Sequence, residues 1–293
     1  MYTIFDLLHS TVVGLIKVMP LPLGLLLSQI YNKVLQVTGP EHCARTYFES
    51  RLYCEPRDLL QRMILHFGVW EPDVSRTIEL NLAPGDVFVD IGANIGYDTL
   101  LASRLVGATG KVVSIEASTR AFALLQRNLG LNDTANVRAV KAAVSDKVGK
   151  LELYEMSPYN IGAATTLASR GGKLMESVDA MPLEEILTPA EMSHARLIKM
   201  DVEGAEPPIL RHLLDRIALY SPTMDIIVEA SPEDDYAAWK DIFDRMKAAG
   251  FAAYEIDNSY ELEWYLKWRK PAALRRNDTA PTHQQDLLFT RRS

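Results

Sequence analysis

Cysteine is scarce in this sequence: 293 residues hold two, Cys43 and Cys54, with no CxxC spacing. That excludes a disulfide scaffold and a structural zinc site, and it points to a reducing compartment, so the chain is expected in the cytoplasm. Basic charge is not in excess either. With 31 Lys and Arg against 38 Asp and Glu, the net charge of −7 argues against a nucleic-acid partner, which needs a basic surface to displace counterions from phosphates. Long apolar runs are missing as well. The stretch from Val18 to Asn32 carries no charge, but Pro20 and Pro22 interrupt it, and a spanning helix wants about 20 unbroken apolar residues. A cleaved signal peptide fits no better, since Asp6 sits where positive charge is expected. What is present is the composition of an ordinary soluble domain, 48% hydrophobic and 24% charged, in a chain long enough to bury a sizeable core.

The rest of the chain is organised around residues 87–97, VFVDIGANIGY. Val87, Phe88 and Val89 read as a strand buried on both faces of a parallel sheet, Asp90 closes it, and Gly92 to Gly96 turn the chain into a helix carrying Leu100, Leu101 and Leu105. Glycines let a backbone approach a ligand, and free N–H groups at a helix start favour an anion. The dinucleotide fingerprint G-x-G-x-x-G is not met, because Asn94 stands at the middle glycine. An acid on the strand end would also repel a pyrophosphate. It suits S-adenosylmethionine, which combines a sulfonium, an ammonium and a carboxylate. A second run, KVVSIEAS from Lys111 to Ser118, ends in Glu116, about 25 residues past Asp90, where a doubly wound fold places the acid that binds ribose hydroxyls.

The αβ alternation continues through a helix with Leu124, Leu125 and Leu129, and then a third strand expected over Val137 to Val144. Ala143 and Asp146 lie where related folds wrap an adenine, and a plain turn aspartate is the even alternative for Asp146. From Ser157 to Gly172 a Gly, Ser and Thr rich segment is a candidate acceptor lid, with Tyr159 and Asn160 as its contacts. The run RLIKMDVEGAEPPILRHLL, residues 196–214, is the second informative stretch. Lys199, Asp201 and Glu203 stand two apart and share a face while the strand stays extended, and a lysine in a buried strand is costly unless paired. A structural Lys199–Asp201 bridge and a catalytic role both remain open there. Asp225 to Glu229 again ends in an acid, so Asp90, Glu116, Asp201 and Glu229 all fall at strand ends, the edge where open α/β sheets bind ligands. His194 precedes its strand and His212 reads as a surface residue of the next helix. Residues 259–283 read as an aromatic and basic loop with Tyr260, Trp264, Tyr265 and Trp268, and a closing strand at Asp286 to Thr290 runs antiparallel. Glu71, ahead of the first core strand, either borders the cofactor pocket or caps a helix.

The motifs VFVDIGANIGYDTLLAS, KVVSIEAS, AAVSD and above all LIKMDVEGAE, in that order, resemble the FkbM-type S-adenosylmethionine-dependent methyltransferases. The resemblance covers about residues 56–293, which are expected as the methyltransferase domain behind a helical extension over 1–55. It implies a Rossmann-like α/β fold, a seven-stranded sheet whose last strand is antiparallel, with helices on both faces. It implies O-methyl transfer to a hydroxyl of a sugar, glycolipid, macrocycle or other secondary metabolite. Asp90, Gly92, Asn94 and Gly96 would then cradle the methionine part, with Ala93 and Tyr97 of the same turn. Glu116 would take the ribose, with Ala117 and Ser118 beside it. Asp201 would face the reacting centre and act as general base, with Lys199, Glu203 and Glu229 behind it. No HxxE or comparable ligand spacing occurs, so no resident metal is expected, and an ion on Asp201 and a second acid is the lesser alternative. A nicotinamide-dependent oxidoreductase and a non-catalytic membrane-associated module are the competing readings. Two helices over roughly residues 3–18 and 23–37 are left for packing, a homodimer contact or a membrane surface.

Overall fold

The computed structural model describes residues 4–37, 41–157, 159–267 and 273–292, and the chain divides into two compact units. The first comprises Met1–Pro72 with Ser259–Pro271, the second Asp73–Asn258 with Ala272–Ser293. The first unit takes in the helix Leu59–Phe67, which rests on the strand pair His42–Arg45 and Arg51–Cys54 and on the helix Leu21–Val37.

In the first unit, Asp58 starts the helix Leu59–Phe67 by accepting from the Gln61 amide at 3.0 Å, and Gly68 ends it at φ 75, where a side chain would be strained. Every residue of that helix from Leu60 to Phe67 is buried, which explains why it nucleates a core of its own. His9 ties the N-terminal helix to this core, bonding the Tyr31 hydroxyl at 2.7 Å and the Leu65 carbonyl at 2.8 Å. The expected aromatic loop is in part a helix, Leu262–Lys267. Tyr265 is 1% exposed with its ring 5.3 Å from Phe67, so it is a core residue of this unit. Trp268 lies outside the described residues.

The second unit is built on one sheet in the order Arg275–Asn277, Ala252–Ile256, Gln285–Thr290, Asp225–Ala230, Ala195–Met200, Val87–Ile91, Lys111–Glu116, Val137–Lys141. The five strands from Asp225–Ala230 to Val137–Lys141 are parallel, and Gln285–Thr290 inserts antiparallel between Asp225–Ala230 and Ala252–Ile256. The α/β fold with a terminal antiparallel strand is as expected, and the short edge strand Arg275–Asn277 makes eight strands where seven were expected. The middle strands are buried at every residue but Arg196, which is why they read as apolar runs.

The third strand is shorter than Val137 to Val144. It stops at Lys141, the Ala142 amide bonds the Glu116 carbonyl at 3.2 Å, and Ala143–Val144 pairs instead with Ala180 and Met181 of a strand Lys173–Met181. That strand, which the sequence pattern did not reveal, belongs to a second sheet with Gly149–Glu155 and Ala164–Thr165. Strand order reverses at Val87–Ile91: the chain proceeds outward to Lys111–Glu116 on one side and resumes with Ala195–Met200 on the other. Such a switch point opens a crevice at the carboxyl edge of the strands.

Candidate active site

At that crevice the register sets Lys199 beside Asp90 and Met200 beside Ile91. The chain leaves the first strand through Gly92 at φ 81, where an added Cβ would lie 1.9 Å from the carbonyl oxygen of Asp201. Gly92 thus lets the two ligand-edge turns touch, which is a stronger demand than ligand approach. Gly96, at φ 92, starts the helix Tyr97–Val106 against Leu125. The amides of Gly92 and Ala93 both bond the Ile115 carbonyl, that of Asn94 bonds Glu116 Oε2 at 2.8 Å, and that of Gly96 bonds Ala93. Four of the turn's amides, those of Gly92, Ala93, Asn94 and Gly96, thus also fix the shape of the turn itself.

Asp90 is 1% exposed. Its Oδ2 accepts from the Thr99 hydroxyl at 2.5 Å, and its Oδ1 is buried with no hydrogen-bond partner among the described residues. Burial pushes its carboxyl well above the usual range, against the pull of Lys199. Glu116 accepts from the Asn94 and Ser118 amides at 2.8 and 2.7 Å, and burial still pushes it up to about 7. The Ala117 amide bonds it as well, and of the roughly four lone-pair sites of a carboxylate this leaves one for a ribose hydroxyl. Asn94, at φ 48, also has a buried side-chain oxygen with no partner among the described residues. Orphaned acceptors of this kind, on both sides of one turn, fit a ligand that brings ammonium and hydroxyl donors.

Lys199 is buried and bonds two carboxylates, Asp98 Oδ2 at 3.3 Å and Asp201 Oδ2 at 3.2 Å. The expected Lys199–Asp201 pair is present, and Asp98 is the partner that the strand pattern did not show. The strand ends at Met200, and Glu203 turns out of it at φ 56, so Lys199, Asp201 and Glu203 do not form one extended face. The loop Val202 to Gly204 is instead pinned by Glu206, whose Oε1 accepts from both of those amides at 2.9 and 3.3 Å. Glu203 is held by Arg170 at 3.0 Å, and Arg170 also binds Asp234 at 2.5 Å. Glu229 accepts from Gln284 Nε2 at 2.8 Å. One carboxylate oxygen each of Asp201, Glu203 and Glu229 lies within 4.8 Å of the others, a spacing that a hard cation can bridge, while Lys199 and Arg170 already bring positive charge to two of the three.

The candidate lid reaches this rim. A Cβ on Gly162 would come 2.4 Å from Asn94 Nδ2, and the Thr165 hydroxyl donates to the Glu203 carbonyl at 2.7 Å. Gly162, Thr165, Leu167 and Arg170 bring it to the rim. Tyr159 is 63% exposed, and Asn160 caps the turn Ile161–Ala163. Tyr97 is buried and takes a hydrogen bond from Ser75 at 3.3 Å, which makes it a helix-packing residue. Ser118 caps the helix Thr119–Leu129. Ala117 and the buried Ala143 line the same small cluster, and Asp146 is exposed beside Ser145. His212 is not a free surface residue: it bonds Glu184 at 2.7 Å. Glu71 lies in the other unit, at φ 40, accepting from the Tyr260 hydroxyl at 2.9 Å.

Asp286 is the site acid the sequence reading missed. It sits opposite Glu229 in the antiparallel ladder and accepts from Asn258 at 2.8 Å. An antiparallel strand begins at the edge where its parallel neighbours end, so the first residues of the closing strand belong to the rim.

The rim has a thermodynamic signature. Burial holds Glu116 and Glu206 at about 7 and raises Asp90, Asp98 and Asp286, all above their unfolded values near 4. Between pH 4 and 7 the folded chain therefore binds protons that the unfolded chain has released, so stability falls as pH rises through that window. The melting temperature of the ligand-free protein is expected to drop by about 5 °C or more from pH 5.5 to pH 8 at fixed ionic strength. A flat or rising profile by calorimetry would contradict the buried-acid rim.

A carboxylate-rimmed crevice at the switch point of a parallel sheet, closed by an inserted antiparallel strand, defines the Rossmann-like methyltransferase class. The family model described as the methyltransferase FkbM domain matches residues 90–253, more than half of the chain. The protein belongs to the FkbM methyltransferase family, and S-adenosylmethionine is its cofactor. It is similar to Methyltransferase 1 of Beauveria bassiana, 25% identical over 222 residues that cover 69% of this chain and 85% of that protein. It is 30% identical to the 31-O-demethyl-FK506 methyltransferase FkbM of Streptomyces tacrolimicus over 164 residues, 46% of this chain and 62% of that one. Among solved structures, methyltransferase FkbM from Methylobacillus flagellatus KT aligns at TM-score 0.38 and 16% identity over 78% of this chain and 52% of that chain. M. jannaschii TYW2 in complex with AdoMet aligns at TM-score 0.45 and 13% identity over 87% of each chain. Family membership removes the nicotinamide oxidoreductase reading of the first turn.

Proposed function

We propose that this chain methylates a hydroxyl group of a small molecule, a sugar, glycolipid or macrocyclic secondary metabolite, with Asp201 as the general base. The observation that carries the proposal is the difference in access among the rim acids. The Asp201 side chain is 31% exposed, whereas Asp90, Glu116, Glu206, Glu229 and Asp286 are each 9% or less, and Glu203 is occupied by Arg170. When bound, S-adenosylmethionine supplies a methyl group activated on a sulfonium centre. Asp90 and the Gly92 to Gly96 turn hold its methionine part, Glu116 its ribose, and Ala143 and Asp146 its adenine. Lys199 bonds Asp201 through Oδ2, which orients the carboxylate and leaves Oδ1 to accept the proton of the acceptor hydroxyl. A positioned base of this kind contributes about 10² to 10⁴ in rate, and holding the acceptor oxygen in line supplies the rest. The name of the Streptomyces tacrolimicus relative, which refers to an O-demethyl substrate, supports a hydroxyl acceptor.

The test is transfer of isotope-labelled methyl from the donor to a panel of sugars, glycolipids and macrocyclic alcohols, read by mass spectrometry. Comparison of metabolites from cells with and without this chain identifies the native acceptor as a species lighter by one CH₂ in the latter. Products labelled only on nitrogen or carbon would end the hydroxyl assignment.

A further inference from the structure

The helices Ile4–Val18 and Leu21–Val37 each have two apolar faces, and the chain's own core uses one of them. On the second helix Gly24, Ser28, Tyr31 and Leu35, spaced i, i+4, i+7, i+11, are buried. The other stripe, Leu23, Leu26 and Ile30 at i, i+3, i+7, is 50%, 53% and 52% exposed. The first helix repeats the arrangement: Ile16 is 2% exposed, while Leu8, Leu15 and Val18 stand at 60%, 47% and 79%. Scattered exposed leucines need no explanation, but large apolar side chains exposed at helical spacing on two helices that pack on each other are apolar surface of the kind that marks an interaction site. On the second helix the stripe is bordered by exposed Gln29, Lys33 and Gln36, so apolar surface meets a polar margin along one edge.

Charge selects the occupant. From residue 7 to residue 40 the sequence contains no Asp or Glu, and its only ionised side chains are Lys17 and Lys33, in a chain whose net charge is −7. A second copy of the chain packed symmetrically on this surface would bring Lys33 of one copy against helices that carry no acid from residue 7 to residue 37. An anionic lipid surface meets both demands at once, taking the apolar stripes into the acyl boundary and the lysine among headgroups. The helices have 15 and 17 residues, about 22 and 25 Å at ~1.5 Å per residue, shorter than a hydrocarbon core of about 30 Å. No helix among the described residues is long and apolar enough to cross a membrane.

We propose that these two helices dock the protein on an anionic bilayer surface, lying in the interface with Leu8, Leu15, Val18, Leu23, Leu26 and Ile30 buried in lipid and Lys33 at the headgroups. The inference is independent of which alcohol the enzyme methylates. The experiment is flotation of the full chain with vesicles of phosphatidylcholine alone and of phosphatidylcholine with phosphatidylglycerol at three to one. The wild type is expected to float with the anionic vesicles, and L26E/I30E to bind them at least about tenfold more weakly. K33E should lose about fivefold, and only at low salt. Circular dichroism and S-adenosylmethionine affinity unchanged in L26E/I30E show that the variant remains folded. Failure of the wild type to float on anionic vesicles overturns the proposal, as does flotation unaffected by L26E/I30E. So does a wild-type dimer, by light scattering, that L26E/I30E converts to a monomer while neither binds vesicles.

Discussion

Asp90→Asn is expected to lower S-adenosylmethionine affinity by at least about 100-fold in calorimetry without unfolding the protein. The amide has the shape of the carboxylate, and its oxygen can keep the 2.5 Å bond from Thr99. Lys199 retains Asp98 and Asp201, so the ion network around it survives the change. What is lost is the acceptor at Oδ1, which becomes an NH₂ donor facing a ligand whose own polar groups there are donors, together with the negative charge that balances its cationic end. Stability should move the other way. Burial disfavours the ionised Asp90, so removing its charge is expected to leave the melting temperature at pH 8 unchanged or slightly higher. Lost affinity with retained stability separates a ligand contact from a structural residue. Wild-type affinity in this variant would move the cofactor away from the end of the first core strand.

The parts of the fold that were legible in the sequence are those that a single local signal controls. Val87–Ile91, Lys111–Glu116, Ala195–Met200 and Asp225–Ala230 are buried on nearly every residue, so each reads as an apolar run closed by an acid, and Gly92 and Gly96 mark the turn because positive φ demands them. The acids at those strand ends came with the strands. What local pattern could not show is pairing between distant segments. Lys173–Met181 alternates too weakly to declare itself, with most of its residues exposed, and it exists as a strand because Gly149–Glu155 pairs with it. Arg170 looks like one more loop arginine until the loop returns to Glu203 and Asp234. Asp98 sits one residue past Tyr97 and was overshadowed by the glycine turn, although a buried Lys199 needs more negative charge than Asp201 alone provides. Asp286 could have been found: once the closing strand is taken as antiparallel, its first residues must lie on the ligand edge.

The sharpest consequence of the site concerns Asp201. Asp201→Asn is expected to cut the methyl-transfer rate by about 10² to 10⁴ while the cofactor dissociation constant stays within about threefold of wild type. The expectation rests on a division of labour visible in the rim. Asp90 and Glu116 are enclosed beside the glycine turn, the place proposed for the donor, whereas Asp201 projects from the next strand end with part of its carboxylate exposed. An asparagine there keeps the contact with Lys199 through its carbonyl oxygen but cannot take a proton. Glu203→Gln should cost less, because Arg170 already bonds that carboxylate at 3.0 Å. A chelator separates base catalysis from ion assistance: with Lys199 and Arg170 balancing Asp201 and Glu203, turnover is expected to survive EDTA unchanged. Loss of activity on chelation, restored by a divalent ion, would instead assign Asp201, Glu203 and Glu229 to a cation and make the hydroxyl proton acidic by coordination. If Asp201→Asn loses cofactor binding together with rate, the carboxylate belongs to the donor pocket, and the base must be sought among the lid residues that touch the same rim.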